Sequence, residues 1–283
     1  MVNDQMVNKM KAMIFCAGLG TRLKPLTDTM PKALVPLAGK PLLQWQVERL
    51  RDAGITDIIV NVHHFPDMII DTIRQNDGWG CHITVSDERD LLLDTGGGLK
   101  KAINHSPFAL RHSPLLACNV DILSNIDLRA FIATYENHKS QIINQKSPLG
   151  LLVVSERETQ RYLCFDEQNT LCGWTNIATG EVRPISLNHS IIPSLKKLAF
   201  SGMQILSPEA LALLPQMPAE KFSLIDFYMA ICEKQIKNPK SEIINPKSEI
   251  INLKAYVPTD YRMMDVGKID QIEEAERFAE SLR

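Results

Sequence analysis

The stretch Ala17-Gly-Leu-Gly-Thr-Arg-Leu-Lys-Pro-Leu-Thr-Asp-Thr-Met-Pro-Lys-Ala-Leu-Val-Pro36 follows directly on an apolar, strand-like run, Ala12 to Cys16. Gly18 and Gly20 carry no side chains, so the backbone can approach a ligand closely and its N–H groups can form an anion-binding concavity. Arg22, Lys24 and Lys32 bring three cations to the same loop. A dinucleotide-binding turn would need a third glycine where Leu23 stands, and an acidic residue closing the second strand, where Asn61-Val62 stands. A Walker loop fails as well, because Gly39-Lys40 is followed by Pro41.

Outward from this loop, short β-branched runs alternate with amphipathic helical patterns. Strands are expected near Ala12 to Cys16, Asp57 to Val62, His82 to Val85 and Leu115 to Asn119. Helices are expected at Leu42 to Ala53, Pro66 to Gln75, Gly98 to Ile103 and Leu128 to His138. This alternation predicts an α/β fold: a Rossmann-like, mostly parallel mixed sheet with helices on both faces, its ligands at the carboxyl edge. After Gly150 the strands shorten. Leu151 to Ser155, Tyr162 to Asp166 and Thr170 to Trp174 read as a small antiparallel insert, before Leu198 to Leu206 returns as a strand. Asn-Pro-Lys-Ser-Glu-Ile-Ile begins at Asn238 and again at Asn245. Two copies make no solenoid, and a lengthened surface loop is expected there.

Two carboxylates close strand-like runs. Asp121 ends Leu115-Leu-Ala-Cys-Asn-Val-Asp, where an apolar strand has no structural use for a charge, and Asp265 ends Tyr261-Arg-Met-Met-Asp ahead of Gly267. Either could instead cap the helix that follows. As a pair they suit Mg²⁺, which takes one or two carboxylates and completes its shell with water and phosphate oxygens. Asp94-Thr-Gly-Gly-Gly98 is a further glycine-rich turn that opens a helix, where a base and ribose could lie against backbone.

The first loop resembles the signature G-x-G-T-R-L-x-P-L-T-x-x-x-P-K-x-L-x-P of the nucleotide-sugar pyrophosphorylases, the sugar-1-phosphate nucleotidylyltransferases, at every defined position. Leu115 to Asp121 is similar to the family's strand-terminal N-G-D, with Val120 in place of the glycine. Asp265-Val-Gly267 resembles its D-V-G, and Phe200-Ser-Gly202 its F-S-G. The resemblance implies an enzyme that moves a nucleoside monophosphate from an NTP (UTP or GTP) to a sugar 1-phosphate with Mg²⁺. In it Arg22 would grip the β,γ-phosphates and Lys32 the α-phosphate or the sugar phosphate. Asp121 and Asp265 would hold the metal. Ala17, Gly18, Gly20, Thr21, Gly96, Gly97 and Asn119 would meet the nucleotide, with Cys16, His63 and Glu88 as lesser candidates. Ser201 and Gly202 would meet the sugar, with Arg161, Asn176, Trp174 and Lys221 behind them. The implied division is an extension at 1–10, a nucleotide-binding half at 11–140, a sugar-phosphate part with inserts at 141–262 and a metal-ligand segment with the last helix at 263–283. Compact N-acetylmuramate-1-phosphate uridylyltransferases are the most similar subtype, with mannose- or heptose-1-phosphate guanylyltransferases next. A non-catalytic nucleotide-sugar sensor on the same fold is the reading of another class.

Composition sets the outer limits. With 283 residues, 45% hydrophobic, 23% charged and a net charge of −2, the chain has no global positive field for nucleic acid or an anionic membrane. No apolar run approaches the ~18 residues of a membrane span, and Met1 to Gln5 lacks a signal-peptide pattern. The six cysteines are scattered without a C-x-x-C pair, which argues against zinc or a disulfide framework. The expectation is a cytoplasmic monomer or small homo-oligomer. Residues 1–9 read as an extension ahead of Met10, and no hexapeptide-repeat tail follows, so no fused acetyltransferase is expected.

Overall fold

The computed structural model describes residues 10–105, 112–140, 148–187, 189–237 and 253–282. The 1–9 extension and the duplicated heptads from Asn238 lie outside them. The strands are β1 (Lys11–Phe15), β2 (Pro36–Leu37), β3 (Lys40–Pro41), β4 (Asp57–Val62), β5 (His82–Asp87), β6 (Leu115–Asn119), β7 (Ile122–Ser124), β8 (Gly150–Ser155), β9 (Arg161–Phe165), β10 (Leu171–Asn176), β11 (Glu181–Arg183), β12 (Lys196–Leu206), β13 (Lys254–Tyr256) and β14 (Met263–Asp265). The α-helices are α1 (Leu42–Asp52), α2 (Pro66–Gln75), α3 (Asp94–His105), α4 (Leu128–Ser140), α5 (Pro208–Leu213), α6 (Leu224–Lys237) and α7 (Ile272–Glu280).

One large sheet runs in the order β11-β10-β9-β12-β6-β1-β4-β5, with β8 and β13 attached beside β12. β6, β1, β4 and β5 are mutually parallel, and β13 is parallel to β8. The remaining ladders of this sheet are antiparallel, so the expected insert is built onto the main sheet through β12. β1 explains why the parallel half reads as apolar runs. Ala12 and Ile14 face one core with α1, α2, α4 and α7, while Met13 and Phe15 face the other with α3, α5 and α6. A strand covered on both faces has no polar side to alternate with. Helices therefore lie on both faces, and β1, β4 and β6 all deliver their C-terminal residues to one edge.

Three 3₁₀ turns, Thr21–Leu23, Leu26–Asp28 and Lys32–Leu34, carry the loop after β1. Leu23, Ala33, Val35 and Leu37 are wholly buried and anchor it; each large side chain of this kind stabilises by about 2 kcal/mol. Thr27 Oγ1 and Leu23 N–H both donate to Gly20 O at 2.8 Å. Gly20 has φ +66°, and a Cβ there would stand 2.8 Å from Thr27 Cγ2, so this turn requires glycine.

Candidate active site

At the carboxyl edge of β1 and β6 lies a cavity of about 450 Å³. Cys16, Ala17, Gly18, Gly20, Thr21 and Arg22 form one wall; Lys32, Asn119, Val120, Asp121 and Gly267 form the floor; Leu92, Asp94, Thr95 and Lys221 face them. The volume falls within the range usual for small-molecule sites.

Asp121 and Asp265, 144 positions apart in sequence, meet through backbone pairing. β14 lies antiparallel to β7 with Asp265 opposite Ile122, and Val266 N–H donates to Asp121 O at 2.9 Å. Lys32 Nζ bonds Asp121 Oδ2 and stands 4.0 Å from Asp265 Oδ1, while Arg22 Nη2 is 3.6 Å from Asp265 Oδ2. The pairs differ in worth. Lys32 and Asp121 are mostly enclosed, with side chains 10% and 19% exposed, whereas Arg22 and Asp265 are 60% and 45% exposed and their attraction is largely screened. A Cβ on Gly267 would fall 2.9 Å from Arg22 Nη2 and 2.8 Å from Asp265 Oδ1, so this glycine admits both groups.

Among the described residues no group of three or more His, Cys, Asp or Glu could hold a metal ion. The two aspartates nonetheless fit Mg²⁺: both carboxylates already turn toward one cation, the Lys32 ammonium, and the ion draws its other ligands from water and phosphate. Gln46, on α1 and 1% exposed, holds the floor from behind, its Nε2 donating to Val120 O at 3.4 Å and Ile122 O at 2.6 Å, on either side of Asp121. Val120, where the resemblance has glycine, is 4% exposed and absent from the positive-φ positions, so a β-branched side chain is accommodated. Sequence reading missed Gln46, because a glutamine inside an amphipathic helix does not announce its partner.

Several expected contacts fall elsewhere. Gly96 and Gly97, expected to meet the nucleotide, are not among the residues that line the cavity. α3 starts at Asp94 rather than Gly98, the glycines are buried in its first turns, and both Gly96 and Gly97 N–H donate to Phe222 O, at 2.9 and 3.0 Å. A Cβ on Gly96 would stand 2.5 Å from the Phe222 ring, and one on Gly97 would collide with Glu220 O. The run is glycine so that α3 can press against the chain ahead of α6.

Ser201 is 1% exposed and Gly202 (φ +69°) lies under Asn119, where a Cβ would be 2.8 Å from Nδ2. Neither is among the residues that line the cavity. Arg161 is exposed at the start of β9, and Asn176 turns its Oδ1 onto Ala178 N–H at 3.0 Å. Trp174 stacks under Arg183 at 5.1 Å. His63 Nδ1 faces Glu88 O at 2.7 Å, away from the cavity wall. Cys16 reaches the cavity wall, and burial, reinforced by Cys118 and Asp121, pushes its thiol well up.

Gly18 isolates the ligand's share of this site. Its φ is not positive and nothing lies within 4 Å of a Cβ built on it. Gly18→Ala should therefore leave the thermal midpoint unchanged while placing a methyl in the cavity. An NTP that lies there should lose between about 10- and 100-fold in kcat/KM. Parent-like kinetics would mean that no substrate approaches this backbone.

Residues 11–162 match the nucleotidyl transferase family. The chain belongs to that family. It is 41% identical over 125 residues to the N-acetylmuramate alpha-1-phosphate uridylyltransferase of Neisseria meningitidis serogroup B, covering 44% of this chain and 52% of that one. It is 35% identical over 150 residues to the mannose-1-phosphate guanyltransferase of Schizosaccharomyces pombe, covering 53% and 38%. The chain thus spans about half the length, or less, of these curated relatives. The chain also shares the fold of HddC from Yersinia pseudotuberculosis, with a TM-score of 0.64 at 22% identity over 95% of this chain and 99% of that one.

Proposed function

We propose that the chain joins a nucleoside monophosphate from an NTP to a sugar 1-phosphate and releases pyrophosphate, with UTP and N-acetylmuramate 1-phosphate as the pair. One observation carries the reading: two carboxylates from distant segments face a single cation on the floor of a cavity whose wall is the glycine-lined basic loop. The uridylyl and muramyl choice is supported by the Neisseria relative, and a guanylyltransferase acting on mannose or heptose 1-phosphate is the competing choice, its mannose form supported by the yeast relative. In this reading residues 11–140 serve the nucleotide, 141–262 the sugar phosphate, and 263–283 bring the second carboxylate.

A sugar 1-phosphate is largely dianionic at neutral pH, its second pKa being about 6, so it attacks without a general base. The barrier is the meeting of two anions. The site lowers it by position and charge: Arg22 receives the departing pyrophosphate, and Lys32, released from Asp121 as the phosphates arrive, faces the α-phosphate. Mg²⁺ held by Asp121 and Asp265 would neutralise charge developing on that phosphate. The glycine loop offers its N–H groups to the triphosphate. Work in the cytoplasm, where NTPs are found, is part of this reading; among the described residues no helix is long and apolar enough to cross a membrane. The test is four NTPs against several sugar 1-phosphates with Mg²⁺, scored as phosphate after pyrophosphatase. UTP with N-acetylmuramate 1-phosphate should give the highest kcat/KM. Pyrophosphate from no combination would sink the enzyme reading and leave a nucleotide-sugar sensor.

A further inference from the structure

Behind the cavity sits a carboxylate that the chemistry above does not use. Glu88 is 0% exposed. It follows β5, its N–H donating to Val62 O at 2.7 Å, and its two side-chain oxygens take different partners. Oε1 accepts from Asn61 Nδ2 at 2.7 Å and Oε2 from Leu93 N–H at 3.2 Å. Asn61 reaches the cavity, and its own Oδ1 accepts from Cys16 N–H at 2.8 Å. Both partners of Glu88 are donors, so Glu88 fixes which end of the Asn61 amide meets Cys16. Gly98 makes the room. A Cβ there would stand 2.5 Å from Glu88 Oε1 and 3.0 Å from Asn61 Nδ2.

We propose that Asn61 and Glu88 are positioning residues that set the width of the nucleotide slot, an inference that rests on the cavity being the NTP site. The bonded series from Cys16 N–H through Asn61 and Glu88 to Leu93 N–H spans the slot. One end holds the residue just before the glycine loop, and the other holds the residue just before Asp94 and Thr95 on the facing wall. A neutral amide occupies the wall itself. The negative charge is kept one residue farther back, where it does not oppose a triphosphate.

The bond pattern supplies its own test. Glu88→Gln keeps the shape, yet every orientation of the new amide sets one N–H against another, at Asn61, Leu93 or Cys16. The double variant Asn61→Asp/Glu88→Gln restores all three bonds. Its carboxylate at position 61 accepts from Cys16 N–H and from the amide at 88, whose oxygen accepts from Leu93 N–H; only the charge has moved, onto the wall. UTP and GTP are titrated with Mg²⁺ by calorimetry, beside kcat, KM and the thermal midpoint. Glu88→Gln should weaken the bound NTP about 10-fold, raising KM with kcat nearly unchanged at saturation. The double variant should regain most of the thermal midpoint while still binding the triphosphate at least about 10-fold more weakly than the parent.

Parent-like NTP binding by Glu88→Gln, with only the midpoint lowered, overturns the positioning role. Parent-like binding by the double variant overturns the placement of charge, and decides the matter alone if Glu88→Gln does not fold. If the parent itself binds neither nucleotide, the reading of the cavity as an NTP site falls first, a result distinct from both.

Discussion

Asp121→Asn should fold like the parent and release pyrophosphate at least about 100-fold more slowly, since one well-placed electrostatic contact at a transition state is worth that much or more. The backbone around position 121 is held by groups that ignore its side chain: Val266 N–H on the carbonyl of Asp121, and Gln46 on the carbonyls of Val120 and Ile122. The amide keeps the shape and removes the charge. Lys32, whose ammonium bonds Asp121 directly, loses its closest counter-ion, and among the described residues Asp265 at 4.0 Å is the carboxylate left to it. The check is a coupled pyrophosphate assay under saturating NTP and sugar 1-phosphate, with thermal melts of both proteins. Turnover near the parent's at an unchanged melting point would remove Asp121 from the chemistry.

Gly97→Ala should cost about 3 kcal/mol or more of stability, against the usual direction for such a change. In an open helix, alanine is favoured over glycine by about 1 kcal/mol. Here the added Cβ would collide with the Glu220 carbonyl oxygen and stand 3.0 Å from Leu93 Cβ. Neither neighbour is the free end of a flexible chain. The substitution must push α3 off the segment ahead of α6, breaking the bonds from Gly96 and Gly97 N–H to Phe222 O. Urea unfolding of parent and variant measures the loss. A midpoint equal to or above the parent's would show that the run is glycine for some reason other than packing.

What could be read in advance follows the range of the interactions. β1, β4 and β6 are doubly covered, so their apolar runs stand out, and the loop from Ala17 to Pro36 carries its glycines and cations within one short segment. Asp121 and Asp265 were visible because a charge closing an apolar strand is out of place. Their approach to each other was expected only through the family resemblance, since it depends on β14 pairing with β7 across the length of the chain. The packing role of Gly96 to Gly98 was hidden for the same reason: local sequence shows a flexible turn, and the surfaces that demand glycine belong to Phe222, Glu220 and Glu88. Ser201 and Gly202 were picked for the sugar; they fall where the register of β12 against β8 shifts, with Gly202 under Asn119, and no local pattern announces that.

β12 also bears on how substrates enter. Its eleven residues bind β9 through Lys196–Leu198, β8 through Ala199–Leu206 and β6 through Met203–Leu206, so one strand belongs to the parallel and the antiparallel parts alike. Parts of a chain joined by a slender linker can swing apart; these cannot separate without tearing three ladders. Any opening that admits or releases substrate must therefore come from the loops at the rim and not from the sheet beneath them.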